Sequence, residues 1–259
     1  MTHHLSGGVV PGKLKGKVAL ITGAGRRIGR ALAVALAEEG VHIVAHDRRI
    51  RESETIKVCE EVEGCGARSW KIIADLDKED EYESLMTRAF AAAGTVDILI
   101  NNASIFQSGT LREVGWEDVK RHMHVNAWTP FFLTREFTRL AGGGKIINLL
   151  DTKITGYDRR HAAYILSKQA LALLTKMCAL EFAPGFTVNG IAPGPILPPE
   201  GKDDSYLDHL VQNLPLKRRG GTGDVCDAAI YLLKADFVTG QVLYVDGGKH
   251  LREEEWTGS

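Results

Sequence analysis

The sequence predicts an α/β fold with one doubly wound parallel sheet, and three features support this class. Continuous apolar runs, typical of strands buried on both faces, recur along the 259 residues. Stretches with apolar residues at helical spacing separate these runs. A glycine-rich turn follows the first run, where the chain passes from strand to helix. This alternation produces right-handed βαβ crossovers, so we expect about seven parallel strands in one domain with helices on both faces.

The first strand and helix lie in the stretch KVALITGAGRRIGR. Residues 18–21 form the apolar run, and the helical pattern starts at Arg26 and stops at Gly40. Gly23 and Gly25 permit backbone angles and a close approach that a Cβ would block. Backbone N–H groups and the helix dipole converge on this turn, which predicts an anion site for a dinucleotide pyrophosphate. A plain strand-to-helix turn is the alternative if nothing downstream agrees.

The later elements follow at a regular rhythm. Further apolar runs predict strands at residues 41–45, 68–74, 96–100, 145–150, 187–191 and 241–245. Helical spacing predicts helices at residues 51–62, 78–93, 116–140, 162–182 and 224–234. We expect the helix at residues 116–140 to be kinked or restarted near Pro130. Residues 195–216, rich in proline and charge, form an irregular stretch long enough to be a substrate loop.

The composition argues against several kinds of partner. A formal net charge of -1 gives no electrostatic reason for binding nucleic acid or an anionic membrane. No apolar run approaches the roughly 18 residues of a membrane span. The cysteines lack CxxC spacing, which favours reduced thiols in a cytoplasmic protein over disulfides or zinc; they are Cys59, Cys65, Cys178 and Cys226. We expect no metal site, a flexible arm at residues 1–13, a domain at 14–251 and a tail at 252–259.

The strongest chemical signal is the stretch YILSK at residues 164–168. Tyr164 and Lys168 are four residues apart, so on a helix they share one face. A tyrosine with a free pKa of about 10 is a poor acid–base catalyst at neutral pH, and an adjacent cation favours its ionised form. The spacing therefore predicts that Lys168 lowers the pKa of Tyr164. A surface tyrosine and lysine one turn apart is the alternative, and the dinucleotide turn upstream disfavours it.

These stretches resemble motifs of the short-chain dehydrogenases/reductases, and the resemblance extends from about Leu14 to Leu251. TGAGRRIG and YILSK are similar to the family's TGxxxGxG and YxxxK, with Arg27 where the middle glycine usually stands. NNAS at residues 101–104 resembles the family's NNAG, and VDGG at residues 245–248 resembles its closing strand. The resemblance implies a Rossmann-type fold and an NAD(P)-dependent oxidoreductase.

The resemblance also implies roles for single residues. Asn126 in HVNAW matches the asparagine that holds a water in the proton relay. Asp75 in ADLD matches the residue that contacts the adenine amino group, and Pro193 and Gly194 match a turn beside the nicotinamide. The implied cofactor-binding residues are Gly23, Gly25, Arg26, Arg27, Ile28, Asp47, Arg48, Arg49, Asp75, Leu76, Asn102, Ala103, Ser104, Tyr164, Lys168, Pro193, Gly194 and Ile196.

Asp151 is an informative departure from the family. It stands thirteen residues before Tyr164, where the family normally has its catalytic serine. A serine hydroxyl donates a hydrogen bond to a ketone oxygen, whereas an ionised carboxylate only accepts. Asp151 therefore argues against simple carbonyl reduction unless it is protonated or the substrate offers N–H donors. A pterin offers such donors, and its C=N bonds need a proton on nitrogen as hydride reaches carbon.

Four features together resemble the pteridine reductases: Arg27, Ser104 with Phe106, Asp151, and GPILPP at residues 194–199. This subgroup implies that Arg27 lies by the cofactor phosphates and the substrate, and that Phe106 stacks on the pterin opposite the nicotinamide. The implied catalytic residues are Asp151, Tyr164, Lys168 and Asn126. The implied substrate-binding residues are Arg27, Ser104, Phe106, Asp151 and Tyr164. In the alternative interpretation, Phe106 belongs to the core and Asp151 caps a helix or forms a salt bridge.

The cofactor signals conflict. Arg26, Arg48 and Arg49 occupy positions where NADP-dependent family members place basic residues for the 2'-phosphate. Asp47 ends the second strand, where an acidic residue usually binds both ribose hydroxyls and repels a phosphate. The arginines outnumber the acid and pterin reduction draws on NADPH, so we expect NADP(H) rather than NAD(H). Solvated surface arginines, one of them holding Asp47, are the alternative.

The sequence thus predicts an NAD(P)H-dependent reductase of a pterin or related heteroaromatic ring, with Tyr164 as proton donor. One alternative is an oxidoreductase of the same family that acts on a ketone, 3-oxoacyl or sugar-like substrate. Another is a dinucleotide-binding sensor that has no catalytic activity. Residues 118–139 and 162–182 resemble the helices through which the family forms dimers and tetramers, so we expect a homotetramer, or else a homodimer.

Overall fold

The structure, a computed structural model, describes residues 12–156, 159–198, 201, 203 and 205–252. Within these residues the chain forms one seven-stranded parallel sheet in the order β3-β2-β1-β4-β5-β6-β7, which confirms the predicted fold class. The strands are β1 (Val18–Thr22), β2 (His42–Asp47), β3 (Ser69–Ile73), β4 (Ile98–Asn101), β5 (Gly144–Leu149), β6 (Phe186–Pro193) and β7 (Val242–Val245). Of the expected arm and tail, residues 1–11 and 253–259 lie outside the described part of the chain.

Helices cover both faces of this sheet. The α-helices are α1 (Arg27–Glu38), α2 (Glu52–Gly64), α3 (Glu79–Glu83), α4 (Leu85–Ala93), α5 (Trp116–Met123), α6 (Thr129–Leu140), α7 (Ala162–Glu181), α8 (Ser205–Val211) and α9 (Thr222–Lys234). A π-helical turn joins α5 to α6 at His124–Trp128, and short 3-10 turns lie at Arg49–Arg51, Thr152–Ile154 and Lys249–Leu251. None of the helices in the described residues is long and apolar enough to cross a membrane.

The alternating side chains of β1, an interior strand, fill two cores, one on each face of the sheet. Ile21 points to the side where Leu32 and Leu36 of α1 pack, and Leu20 points to the side of Leu133 and Phe137 of α6. These side chains are fully buried, and burial of each contributes about 1.5–3 kcal/mol. The uninterrupted apolar run of β1 is therefore the sequence signature of a strand covered on both faces.

Three expected elements differ in detail from the structure. Ser84 separates α3 from α4, so the helix expected at residues 78–93 is two helices. The disturbance in residues 116–140 is the π-turn at His124–Trp128, which ends just before Pro130. The proline lies in the first turn of α6, where it cannot continue the hydrogen-bond ladder of the π-turn. The stretch 195–216, expected to be irregular, contains α8.

The sheet order reverses beside β1, and this reversal positions the site. β1 pairs with β2 on one side and with β4 on the other, so the connections leave β1 and β4 in opposite directions. In doubly wound sheets ligands bind at this switch point, beyond the carboxyl ends of the strands. Thr22 and Asn101 end β1 and β4 there, and the predicted site residues follow them along the chain.

Candidate active site

The glycine turn after β1 is locked to the loop after β4. The Asn102 side-chain amide donates to the carbonyl oxygens of Thr22 and Gly23, at 2.8 and 3.0 Å. Thr22 Oγ1 in turn accepts from the backbone N–H groups of Asn102 and Ala103, both at 3.0 Å. A Cβ at Gly29 would lie 2.0 Å from the carbonyl oxygen of Gly23, so only glycine fits there. The TGAGRRIG and NNAS motifs thus form one rigid rim of the site.

The start of α1 meets the requirements of a pyrophosphate site. Arg26 precedes the first turn of α1, and its side chain makes no capping hydrogen bond to that turn. The first N–H groups of a helix lack intrahelical acceptors and carry the positive end of the helix dipole, so phosphate oxygens suit them. Arg27 has a positive φ of 54°, which is strained for a residue with a Cβ. Its guanidinium donates to the carbonyl oxygen of Pro198 at 2.8 Å and so spans from the turn to the start of the expected substrate loop.

A cavity of about 450 Å³ lies beyond β2 and β3. It brings together three residues expected at the adenosine end of the cofactor, Arg48, Arg49 and Asp75. Its other lining residues are Ile50, Ile73, Lys78, Glu81 and Arg88. Basic side chains outnumber carboxylates on this lining, so the cavity favours an anionic group.

Asp47 precedes Arg48 of this cavity in the chain and has both carboxylate oxygens engaged. Oδ2 accepts from the N–H of Gly25 at 3.0 Å, and Oδ1 accepts from the N–H of Arg48 at 2.8 Å. The side chain is nearly fully buried. Asp47 therefore connects the glycine turn to the end of β2, and backbone N–H groups, rather than an arginine side chain, hold its carboxylate.

Tyr164 and Asp151 form the centre of the site. Asp151 follows β5 and Tyr164 lies in the first turn of α7, where its hydroxyl donates to Asp151 Oδ2 at 2.8 Å. The other oxygen of Asp151 accepts from the N–H of Lys153 at 2.8 Å, which caps the 3-10 turn after β5. Asp151 is therefore a cap, as the alternative interpretation held, and it also contacts the tyrosine.

The lowered pKa that we expected for Tyr164 is wrong for this arrangement. Burial, with the charge of Asp151 and its hydrogen bond, raises the pKa of Tyr164 well above its usual value. Burial lowers the pKa of Lys168 to about 8, with the charge of Asp151 opposing this shift. Lys168 Nζ donates to the carbonyl oxygen of Leu149 at 2.7 Å and lies 5.9 Å from the centre of the Tyr164 ring. The carboxylate contacts the phenol directly and the ammonium does not, so the phenol keeps its proton.

The Asn126 side chain is saturated by protein partners. Its amide nitrogen donates to the carbonyl oxygen of Ile105 and to Ser167 Oγ, at 2.9 and 3.0 Å. Its oxygen accepts from the N–H of Ile105 at 2.8 Å and from Ser104 Oγ at 3.2 Å. Asn126 thus ties the π-turn to the loop after β4 and to α7, and a relay water would need its backbone rather than its side chain.

Phe106 stands at the edge of the site and is not a core residue. Its ring is 45% exposed and meets the Tyr164 ring edge-on, with centroids 4.7 Å apart. The imidazole of His161 stacks on Phe106 at 4.2 Å, with 16° between the rings. Backbone hydrogen bonds from Gly109 to Arg160 and from Ala162 to Gly109 hold the two segments together. One face of Phe106 is therefore already covered by the protein.

Other expected site residues have mainly packing roles in this structure. Ile28 packs against the core on the α1 side of the sheet, and Ile196 is buried in the same core. The buried Leu76 offers its carbonyl oxygen to Thr129 Oγ1 at 3.2 Å. A Cβ on Gly194 would lie 2.6 Å from the Cα of Asp246, so the turn after β6 rests on the end of β7.

Sequence reasoning missed His161 and the pair Thr152 and Asp246. His161 lies three residues before Tyr164, close to one helical turn, and this spacing could have identified it. Thr152 Oγ1 donates to Asp246 Oδ2 at 2.7 Å. These two residues are 94 positions apart, so no local spacing indicates their contact.

Three comparisons with known proteins show what this chain is similar to. A family model described as enoyl-(acyl carrier protein) reductase matches residues 23–250. An uncharacterised oxidoreductase of Mycobacterium tuberculosis is 35% identical, over 91% of this chain and 93% of the relative. The 3-oxoacyl-[acyl-carrier-protein] reductase FabG of Staphylococcus epidermidis is 34% identical, over 91% of this chain and 99% of the relative. The crystal structure of FolM alternative dihydrofolate reductase 1 from Brucella canis, complexed with NADP, superimposes with a TM-score of 0.89 at 29% identity, covering 96% of this chain and 99% of that chain.

Proposed function

Because this chain belongs to the short-chain dehydrogenase/reductase family, we propose that it is an NADPH-dependent reductase of a pterin or a related heteroaromatic ring. The observation that carries this proposal is the hydrogen bond from Tyr164 to Asp151. A carboxylate beside the proton donor offers acceptors only, so it suits a substrate that brings N–H groups. The similarity to a structure named as an alternative dihydrofolate reductase supports the same substrate class.

The described residues fit a nicotinamide dinucleotide. The start of α1, which the Arg26 side chain does not cap, suits its pyrophosphate, and Gly29 leaves room for the backbone to approach. Arg48 and Arg49 on the basic cavity suit a 2'-phosphate, while the carboxylate of Asp47 is engaged by backbone N–H groups. These features favour NADP(H) over NAD(H), and the similar Brucella canis structure is itself a complex with NADP. When bound, the reduced nicotinamide supplies a hydride.

Tyr164 serves as the acid in this proposal. Its raised pKa keeps the phenol protonated at neutral pH. A substrate N–H that donates to Asp151 Oδ2 takes over the acceptor that now holds the phenol hydrogen, and the hydroxyl is then free to protonate a ring nitrogen. The ammonium of Lys168 lies 5.9 Å from the centre of the Tyr164 ring, so without direct contact it offsets only part of the negative charge left on the phenolate oxygen.

Phe106 supplies an apolar platform beside Tyr164. Since His161 covers one face of the Phe106 ring, a flat substrate stacks on the opposite face, or His161 moves away. An aromatic ring on this platform gains about 0.5–1.5 kcal/mol beyond the burial of its area. The guanidinium of Arg27, near the start of the substrate loop, offers donors to the substrate or the phosphates.

A second candidate is a carbonyl reductase with a 3-oxoacyl or similar substrate. The observation in its favour is the 34% identity, over almost the full length of both chains, to an enzyme named as a 3-oxoacyl reductase. Asp151 occupies the place at which that chemistry needs a hydrogen-bond donor, so this candidate requires a protonated carboxyl or another donor.

The first experiment measures the loss of nicotinamide absorbance with NADPH and NADH. The panel contains dihydrobiopterin, dihydrofolate, a quinone and a β-ketoester, each with wild type and Asp151→Ser. Pterin turnover that collapses in the variant supports the proposal. Turnover of the β-ketoester alone, unchanged or improved by serine, refutes it in favour of carbonyl reduction. If the protein binds NADPH but reduces no substrate, and Tyr164→Phe leaves the binding unchanged, the result would instead indicate a dinucleotide sensor.

We also propose a homotetramer, or else a homodimer, in the cytoplasm. α7 exposes large apolar side chains on one face, at Leu166, Leu173, Met177 and Leu180. Their spacing of seven, four and three residues places them in one stripe along the helix. An exposed apolar stripe of this kind is typical of a surface that binds another protein.

A further inference from the structure

A buried hydrogen bond connects the residue after Asp151 with the distant end of β7. Thr152 begins the 3-10 turn that Asp151 caps, and its Oγ1 donates to Asp246 Oδ2 at 2.7 Å. Both side chains are nearly fully buried, at 4% and 5% exposure. The contact is therefore shielded from water, and it anchors the turn on which the catalytic carboxylate lies.

The Asp246 carboxylate is held by several further donors. It accepts from the N–H of Gly248 at 2.9 Å, from the N–H of His250 at 2.8 Å and from His250 Nδ1 at 3.0 Å. Tyr244 stacks on the His250 ring at 4.1 Å and so fixes that donor. Burial alone would raise the pKa of Asp246, but the hydrogen bonds from Thr152, His250 and Gly248 outweigh it and the pKa is lowered. Asp246 is thus an ionised acceptor whose position is fixed from several sides.

Asp246 also supports a second part of the site. The N–H of Gly194 donates to the carbonyl oxygen of Val245 at 2.9 Å. A Cβ on Gly194 would lie 2.6 Å from both the Cα and the Cβ of Asp246, so the turn after β6 rests directly on this residue. In the proposed enzyme that turn lies beside the nicotinamide.

We propose that Asp246 is a positioning residue that places both the proton-donating group and the turn beside the nicotinamide. Through Thr152 it orients Asp151 and thereby the hydroxyl of Tyr164, and through Gly194 it places the turn for the nicotinamide. This inference rests on the proposed function, because Asp151 must act on the substrate for its orientation to matter. A displacement of about 1 Å at such a site costs up to about 100-fold in rate, although no contact to the substrate is lost.

The test separates the two connections with three variants. Thr152→Val removes the hydroxyl at nearly constant volume, and we expect kcat to fall about 10- to 100-fold with little change in KM for NADPH. Thr152→Ser keeps the hydroxyl and should restore kcat to within about threefold of wild type. Asp246→Asn weakens the bond to Thr152 and also the bonds to Gly248 and His250 that hold the Asp246 backbone under the Gly194 turn. It should therefore lower kcat and also weaken NADPH binding, measured by fluorescence titration, by about tenfold. Thr87→Val, at an exposed position of α4, is the matched control.

Hydrogen exchange provides a readout that needs no substrate. The N–H of Lys153 donates to Asp151 Oδ1, so loosening of the turn should speed its exchange in cofactor-free Thr152→Val. Unchanged exchange with unchanged kcat refutes the inference. Loss of kcat, NADPH affinity and thermal stability together, without rescue by serine, also overturns it, since that pattern means only structural support.

Failure of the proposed function gives a different pattern. If the wild type reduces only the β-ketoester, kcat is measured with that substrate. The same differences among Thr152→Val, Thr152→Ser and Asp246→Asn then support or refute the inference. If the wild type reduces nothing, the proposed function fails. The inference then requires that Asp246→Asn weakens NADPH binding, that Thr152→Val does not, and that Thr152→Val speeds exchange at Lys153; any other pattern refutes it.

Discussion

The Tyr164 hydroxyl donates a hydrogen bond to Asp151 Oδ2 at 2.8 Å, so a protonated tyrosine and a carboxylate are paired at the centre of the site. In this arrangement the phenol is a protonated acid whose pKa is raised by burial and by the neighbouring negative charge. The substrate must offer Asp151 another donor before it can take that proton. This requirement distinguishes a substrate with N–H groups from a simple ketone.

Asp151→Asn should lower kcat/KM for a pterin by about 100-fold or more, because the amide presents a donor where the substrate N–H needs an acceptor. Steady-state rates with dihydrobiopterin test this expectation, and the β-ketoester serves as the comparison substrate. Equal losses for both substrates would mean that Asp151 only caps the turn at Thr152–Ile154.

Lys168→Met should abolish turnover and at the same time stabilise the fold. Burial lowers the Lys168 pKa to about 8, so keeping this lysine charged in the folded state at pH 7 costs about 3 kcal/mol. The orphaned carbonyl oxygen of Leu149 reduces the gain by about 1–2 kcal/mol. We expect a net increase in the free energy of unfolding of about 1–2 kcal/mol at pH 7, measured by urea denaturation.

The difference in the free energy of unfolding between Lys168→Met and wild type depends on pH, because the pKa of Lys168 is lower in the folded state than in the unfolded state. Below pH 8 the folded wild type carries the full penalty of a buried charge. Between about pH 8 and the unfolded pKa of about 10.4, the folded lysine is neutral while the unfolded one is still protonated, so wild-type stability rises relative to the variant. The stability advantage of Lys168→Met over wild type should therefore decrease as the pH rises from about 8 to about 10.4. Lys176→Met, at an exposed position of α7, should show no such trend.

Gly29→Ala should prevent cofactor binding and destabilise the protein. The added Cβ would lie 2.0 Å from the carbonyl oxygen of Gly23, so the turn must move away from its contact with Asn102. Thermal unfolding with and without NADPH measures both effects. Gly64→Ala, where no atom lies within 4 Å of the added Cβ, should behave as wild type. Normal NADPH binding by Gly29→Ala would contradict this account of the turn.

Arg48→Ala should weaken NADPH binding about 10- to 100-fold, equivalent to one or two charge-assisted hydrogen bonds, and change NADH binding less than about threefold. Fluorescence titrations with both cofactors test this difference. Arg30→Ala, which removes a surface guanidinium paired with Glu61, is the control. Equal losses for both cofactors would show that Arg48 does not contact a 2'-phosphate.

The combined variant Leu173→Glu and Leu180→Glu should dissociate the assembly, because it places charges in the apolar stripe of α7. Light scattering after size exclusion at micromolar concentration gives the mass. Leu111→Glu, at a position that is 80% exposed outside the stripe, should leave the mass unchanged. A monomeric wild type would refute the proposed oligomer.

The sequence alone determined the fold class and the identity of the central residues. Continuous apolar runs are decisive for strands buried on both faces, and Gly23 and Gly25 mark the turn at which a Cβ would approach Ala103 and Asp47. YILSK and the upstream Asp151 could be assigned because helical spacing and residue chemistry are local properties. The bounds of α3 and α4 could not be assigned in this way, because the helical pattern of residues 78–93 continues through Ser84, where the structure has a break.

Only the tertiary structure decided how the charges at the site combine. Spacing indicated that Lys168 would control Tyr164, but the sheet brings Asp151 from the end of β5 into direct contact with the phenol, and the lysine turns to Leu149. The stack of His161 on Phe106 and the anchoring of Thr152 by Asp246 likewise join distant segments. A pKa or a hydrogen bond depends on distance and burial in three dimensions, and residue spacing along one element cannot supply these across a chain crossover.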